Sequence, residues 1–201
     1  MPSNTISLQP LPPSDINTAA RLCALAMADN PLHIKVFGLR QEQRELRLTR
    51  LFTGLLPYIG RNGELIGAYA DGLLVGVLGR LTPGCCQPSW KDLLKLTPTL
   101  LTSNSPLGLL KTLRWLCSWA KLDPAAPHWH LGPLAVAPDS QRQGIGRSLM
   151  GHAIEGAGGV SLYLETDKLS NVQFYQQLGF NIIATPTLLA TPTWLMLKEK
   201  R

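Results

Sequence analysis

Leu134-Ala135-Val136-Ala137-Pro138-Asp139-Ser140-Gln141-Arg142-Gln143-Gly144-Ile145-Gly146-Arg147 carries more structural information than any other part of this chain. An apolar run ends at Pro138, as a β-strand would. A polar turn then passes through two glycines into an amphipathic helical pattern. The first N–H groups of such a helix have no internal acceptor, the dipole is positive there, and two missing Cβ atoms let a ligand approach the backbone. The segment is a pyrophosphate cradle by this reading, and Arg142 and Arg147 add charge-assisted contacts to a polyanion. No Gly-Lys-Ser/Thr follows, which excludes a Walker A loop. Arg147-Ser148-Leu149 stands where a dinucleotide fingerprint needs its third glycine. Taken alone, Gly144 and Gly146 read more readily as a tight strand-to-helix turn than as a ligand cradle.

Outward from the cradle the order is regular. A strand over His130 to Ala137, a helix over Gly144 to Ala157 and a strand over Val160 to Glu165 make a β-α-β unit. It is followed by a helix over Asn171 to Leu178 and strands near Phe180 to Ala184 and Thr193 to Lys198. Parallel strands joined in this way place ligands beyond their carboxyl ends.

Toward the N-terminus, Asp71-Gly72 predicts a two-residue hairpin between Glu64 to Ala70 and Leu73 to Leu81. Before it come a short strand over Thr5 to Leu8 and a helix capped by Ser14. That helix carries its apolar face on Ile16, Ala19, Ala20, Cys23 and Met27 and closes at Asn30-Pro31. A second helix, written by Leu48, Leu51, Phe52, Leu55 and Leu56, is bounded by Pro57. Residues 83 to 127 read as an insertion of two helices, with Leu109, Leu113, Leu116 and Ala120 as the docking stripe and Lys111, Arg114, Ser118 and Lys121 as the polar one.

The 201 residues suit one domain, and a 45% hydrophobic content excludes global disorder. Nineteen Lys and Arg against thirteen Asp and Glu give +6, but these charges are spread along the chain without an aromatic-basic signature, so no nucleic-acid partner is expected. No run of eighteen apolar residues predicts a membrane span, and Met1 to Gln9 shows no secretory pattern, so the expected address is cytoplasmic. Cys23, Cys85, Cys86 and Cys117 form no C-x-x-C pair and have no histidines at zinc spacing. They read as reduced thiols, with no metal expected. The Cys85-Cys86 pair beside Pro83-Gly84 lacks a histidine nearby in sequence, which argues against a thiol nucleophile.

Gln141-x-x-Gly144-x-Gly146, after a strand ending Val136-x-Pro138, resembles the acetyl-CoA-binding motif of the GCN5-related N-acetyltransferase (GNAT) superfamily. Leu164-Glu165-Thr166, Asn171, Tyr175 and Leu178-Gly179-Phe180 resemble its next motif. The match covers about residues 130 to 181. The resemblance implies an α/β fold, a single N-acetyltransferase domain over 1–201 with a helical insertion at about 83–127, built on a mixed, splayed β-sheet flanked by helices. It further implies that acetyl-CoA inserts its pantetheine arm between the splayed strands against the backbone of Leu134, Ala135 and Val136. Gln141 opens the cradle, and the N–H groups of Arg142, Gln143, Gly144, Ile145, Gly146 and Arg147 receive the pyrophosphate. Asn171 touches the cofactor near the start of its helix. Gly132-Pro133, inside the key strand, predicts a bulge or bend there.

The implied reaction is direct attack of an amine, from a small molecule or a protein, on the acetyl carbonyl within a ternary complex. Tyr175 matches the position of the acid that protonates the leaving thiolate. Glu165, His128 and His130 are the three candidates for the group that takes the amine's proton. A non-catalytic acyl-CoA-binding or regulatory domain would use the same cradle and is the alternative.

Overall fold

Asp71 and Gly72 both take positive φ, 49° and 78°, so the turn that this dipeptide favours forms, and the flanking strands pair antiparallel as β2 (Gly63–Ala70) and β3 (Leu73–Leu81). The computed structural model describes residues 6–200. Its first strand, β1 (Ile6–Pro10), lies antiparallel to β2; Thr5, the expected start, is outside the described residues. The helices α1 (Ile16–Met27), α2 (Pro31–Phe37) and α3 (Gln41–Asn62) join β1 to the hairpin. After β3 come α4 (Trp90–Ser103) and α5 (Pro106–Leu122), then β4 (His128–Val136), α6 (Ile145–Glu155), β5 (Ser161–Thr166), α7 (Leu169–Gln176), β6 (Asn181–Ala184), the two-residue strands β7 (Thr187–Leu188) and β8 (Thr191–Pro192), and β9 (Trp194–Lys198).

The main sheet runs β1-β2-β3-β4-β5-β9-β6, and its β4–β5 pair is parallel while the others are antiparallel. Side chains alternate across it, as the period of two requires. Val77 and Ala135 face a core shared with Ala20, Cys23, Leu32, Phe37, Leu48, Phe52 and Leu56 of α1 to α3. Leu78, Leu131, Leu162, Leu164 and Met196 face the other core, under Ile145, Leu149 and Met150 of α6 and Val172 and Tyr175 of α7. The result is a mixed sheet between two helical layers.

Several local expectations are corrected. Pro57 does not end the second helix: α3 continues to Asn62 because Tyr58 and Ile59 are buried with Leu48, Phe52 and Leu56. Burying two such side chains contributes about 1.5–3 kcal/mol each, which offsets the ~3 kcal/mol cost of an internal proline. Ser14 is no helix cap; it lies in a 3-10 turn over Pro13–Asp15, and its Oγ donates to Asp15 Oδ1 at 3.1 Å. Asn30-Pro31 closes α1 and also opens α2, with Pro31 at its first position.

The insertion is a pair of helices, but α5 docks by a different face. Gly108, Thr112 and Trp115 are buried, whereas Leu113 and Leu116 are 44% and 41% exposed and Ala120 is exposed. The inward face is shifted by one residue, about 100° around the helix. The cause lies in α2: Trp115 packs edge-on against His33 with ring centroids 5.5 Å apart, and a Cβ on Gly108 would come within 3.0 Å of Val36 O. With α5 rotated, Leu107, Leu110, Leu113 and Leu116 face outward. Among the described residues no helix is long and apolar enough to cross a membrane.

Candidate active site

The parallel pairing of β4 with β5 stops early. His128 faces Ser161, Trp129 faces Leu162 and His130 faces Tyr163; beyond that rung Leu131 to Val136 have no partner on β5. Each strand is instead held from its far side. Leu134, Ala135 and Val136 pair with Leu78, Val77 and Gly76 of β3, and Leu164, Glu165 and Thr166 pair with Met196, Leu195 and Trp194 of β9. The two strands are therefore drawn apart. The expected irregularity at Gly132-Pro133 is present: the register slips between Leu78 and Arg80, and a Cβ on Gly79 would meet Gly132 O at 2.9 Å. Backbone amide and carbonyl groups facing such a gap need an extended guest to pair with.

At the open end of the gap, Pro138–Ser140 forms a 3-10 turn. Gln141 Nε2 then donates to Val136 O at 3.2 Å, which folds the turn back onto the strand. Arg142 takes φ 63° and Gly144 φ 85°, two left-handed residues that turn the chain sharply into α6. The first helical bond is Ser148 N–H to Gly144 O at 3.0 Å, so the amides of Ile145, Gly146 and Arg147 are left for another acceptor. Space beside Gly144 is open, and a Cβ on Gly146 would make only ordinary contact with Phe174 at 3.7 Å and Val136 at 3.8 Å. Neighbouring atoms leave room for a side chain at both glycines; Gly144 is required by its φ, and Gly146 is free to admit a ligand to the backbone. Gln141, Arg142, Gln143 and Gly144 are exposed, Ile145 is buried and anchors the first turn, and Arg147 Nη2 donates to Gln177 Oε1 at 3.1 Å beside α7.

Asn171 sits in the first turn of α7 and donates through Nδ2 to Thr166 Oγ1 at 3.2 Å, at the end of β5. Tyr175, one turn on, is 9% exposed and packs beside Phe180 with centroids 5.9 Å apart. Its hydroxyl has no hydrogen-bond partner among the described residues, and burial pushes its pKa up, so the proton stays on at neutral pH.

At the closed end of the gap lies a cluster that sequence spacing does not reveal. His130 Nε2 donates to Glu165 Oε2 at 2.9 Å. His130 Nδ1 stands 3.2 Å from Asp123 Oδ1, and so does His128 Nε2, whose Nδ1 donates to Ala126 O at 2.8 Å. Cys86 Sγ reaches the same spot from the loop after β3. Tyr163 is fully buried between the two imidazoles, 5.2 Å from each by ring centroid. The Tyr163 hydroxyl, Glu165 Oε1 and His130 Nδ1 are buried without a hydrogen-bond partner.

Electrostatics follow from this crowding. Burial opposes the charged form of His130, but the Glu165 carboxylate and its other partners outweigh that and hold its pKa well above the ordinary value. Burial would raise the Cys86 thiol; hydrogen bonds and charge from His128 and His130 bring it down to about 7 instead. All three sequence candidates for the proton acceptor are thus in one connected group. Asp123, Cys86 and Tyr163, absent from the candidate set, complete it. Their signal is missing because Asp123 and Cys86 lie at opposite ends of the insertion, and Tyr163 reads as an ordinary core residue of a strand.

Comparison with known proteins agrees with this geometry. Residues 112–182 match the family described as the acetyltransferase (GNAT) domain. The chain is similar in structure to a histone acetyltransferase HPA2 and related acetyltransferase from Corynebacterium glutamicum, with TM-score 0.75, 21% identity, and coverage of 98% of this chain and 97% of that one. It is similar to the PaiA N-acetyltransferase from Thermoplasma acidophilum in complex with coenzyme A, with TM-score 0.60, 16% identity and coverage of 98% and 99%. It is also similar to yncA from Salmonella typhimurium with its cofactor acetyl-CoA, with TM-score 0.58, 12% identity and coverage of 97% and 94%.

Proposed function

From its GNAT fold and family match, we propose that this chain is an acetyl-CoA-dependent N-acetyltransferase, a single domain over residues 1–201 with a helical insertion at about 83–127. The observation that carries this reading is the end of β4–β5 pairing at His130 and Tyr163, with the unpaired amides of α6 at the open end of the gap. A pantetheine arm is an extended chain with amide groups, and the backbone of Leu134, Ala135 and Val136 offers it strand-like pairing. The pyrophosphate takes the amides of Arg142, Gln143, Gly144, Ile145, Gly146 and Arg147, with Gln141 bracing the loop and Asn171 contacting the cofactor from α7.

In the reaction the amine nitrogen attacks the acetyl carbonyl carbon, a C–N bond forms, and the C–S bond breaks. The acceptor is a small-molecule or protein amine, with residues 31–60 and 83–127 selecting it. Glu165 takes the amine's proton: its Oε2 is fixed by His130 and its Oε1 is unengaged. Tyr175 supplies the proton that leaves with the CoA thiolate, supported by its neutral, unengaged hydroxyl. The charge that develops on the carbonyl oxygen is met by a backbone N–H at the splay.

The test is release of free CoA thiol from acetyl-CoA against a panel of amines, with binding of acetyl-CoA followed in parallel. Amine-dependent release supports the reading. Tight binding with no turnover on any amine would instead favour a non-catalytic acyl-CoA-binding domain.

A further inference from the structure

We propose that Cys86, Asp123, His128 and His130 bind one zinc ion, which clips both roots of the α4–α5 insertion to β4. Each residue offers one donor atom, and these atoms all lie within 4.8 Å of one another. A tetrahedral zinc ion with bonds of about 2.0–2.3 Å holds its ligand atoms roughly 3.3–3.8 Å apart. Asp123 Oδ1 already stands 3.2 Å from His128 Nε2 and 3.2 Å from His130 Nδ1, so small rotations of side chains suffice.

Both imidazoles are oriented as metal ligands are. A zinc-bound histidine gives one nitrogen to the metal and donates its other N–H to a carbonyl or carboxylate, which fixes the ring and its tautomer. His128 does this through Nδ1 to Ala126 O at 2.8 Å, which turns Nε2, hydrogen-bonded to Asp123 Oδ1 at 3.2 Å, toward the place of the ion. His130 does it through Nε2 to Glu165 Oε2 at 2.9 Å, leaving Nδ1, a buried atom with no hydrogen-bond partner. These two remaining nitrogens converge on one carboxylate oxygen, 3.2 Å from each, and on one thiol. A set of one sulfur, two imidazoles and one carboxylate suits zinc, whereas magnesium and calcium take oxygen ligands.

The topology assigns the ion its task. Cys86 follows β3 at the start of the insertion, Asp123 ends α5, and both histidines belong to β4. An open groove of about 370 Å³, lined by Gly84, Cys86, Asp123, Pro124 and His128, lets the ion in. Four protein ligands leave no open position, so the site is structural: it fastens the insertion and sets the ring of His130, and takes no part in acyl transfer. The proposal stands on the donor geometry and not on the acetyltransferase reading.

The experiment uses the full chain under a thiol-protecting reductant. The chain carries about one zinc by elemental analysis, and Co²⁺ exchanged into it gives tetrahedral visible bands and a thiolate-to-cobalt charge-transfer band. Cys86→Ser loses the charge-transfer band. His128→Asn and Asp123→Asn weaken zinc by more than the ~10–100-fold that loss of an outer-shell partner costs. Acetyl-CoA affinity, measured on the same samples, reports separately on the cradle. In the unaltered chain, zinc slows alkylation of Cys86 by iodoacetamide, read peptide by peptide, by at least tenfold over a chelated control, a test that needs no variant to fold. Absence of stoichiometric zinc and of a cobalt spectrum, or alkylation of Cys86 at the same rate with and without zinc, overturns the proposal.

Discussion

His130 Nε2 stands 2.9 Å from Glu165 Oε2, two residues past the last strand position at which β5 meets β4. The bond holds one carboxylate oxygen and leaves the other buried without a hydrogen-bond partner. Replacing Glu165 by Gln keeps the shape and removes the proton acceptor. Turnover should fall on the order of 10²–10⁴-fold with acetyl-CoA affinity unchanged. A kcat equal to that of the unaltered chain, where chemistry limits turnover, would sink the role.

Gly146 tests the cradle more cleanly than Gly144. Gly144 has φ 85° and resents any side chain, while Gly146 has ordinary helical geometry and room for a Cβ. Gly146→Glu places bulk and negative charge where the pyrophosphate belongs. Calorimetric titration should show acetyl-CoA affinity lowered at least tenfold, with far-UV circular dichroism unchanged. Unchanged affinity in the folded variant removes the cradle assignment.

Tyr175→Phe removes a hydroxyl that has no hydrogen-bond partner among the described residues, so thermal stability should hold or rise slightly. In steady-state assays kcat should drop on the order of 10²–10⁴-fold at constant CoA affinity. Loss of stability without loss of kcat would mark Tyr175 as a core aromatic only.

The rotated face of α5 makes opposite predictions for adjacent residues. Trp115, 5% exposed and packed on His33 and Trp119, should cost about 3–5 kcal/mol on truncation to Ala. Leu116→Glu, on the outward face, should stay within about 0.5 kcal/mol. Urea unfolding of the two variants decides; equal losses would restore the Leu113 and Leu116 stripe as the docking face.

His33 should make the fold acid-sensitive. Its burial disfavours the imidazolium, helped by Arg44 and opposed by the hydrogen bond to Met27 O and by Asp167 and Asp29, and the net folded pKa lies below the ordinary ~6.5. The unfolded chain then binds a proton that the folded chain refuses. This stability is fully present above ~6.5 and is lost as pH falls through the folded value. Urea midpoints at pH 7.5 and pH 5 should fall less for His33→Gln than for the unaltered chain. An equally steep fall refutes the assignment.

The parts of the molecule legible in the sequence are those set by local backbone demands. Asp71-Gly72 and Gly144 need positive φ, and those needs are written in the residue types. The docking face of α5 was not legible because Leu107, Leu109, Leu110, Leu113, Trp115, Leu116 and Trp119 put apolar side chains on nearly every side, so helical period alone selects no face. α2 is only seven residues long, too short to show a period, and takes shape from the burial of Leu32, Val36 and Phe37. The histidine, cysteine and aspartate cluster depends on the insertion bringing Cys86 and Asp123 back to the same strand end, a closure that linear spacing does not express.

β9 lies between β5 and β6, although it follows both in the chain. Until Trp194 to Lys198 folds back between β5 and β6, β5 has a bare edge. That edge carries Leu162, Tyr163 and Leu164, apolar residues with open backbone groups, which is the kind of surface that recruits foreign strands. The nascent protein therefore passes through an interval of vulnerability to mispairing that ends only when its own β9 arrives, and substitutions that weaken β9 should reduce soluble yield out of proportion to their effect on the finished fold.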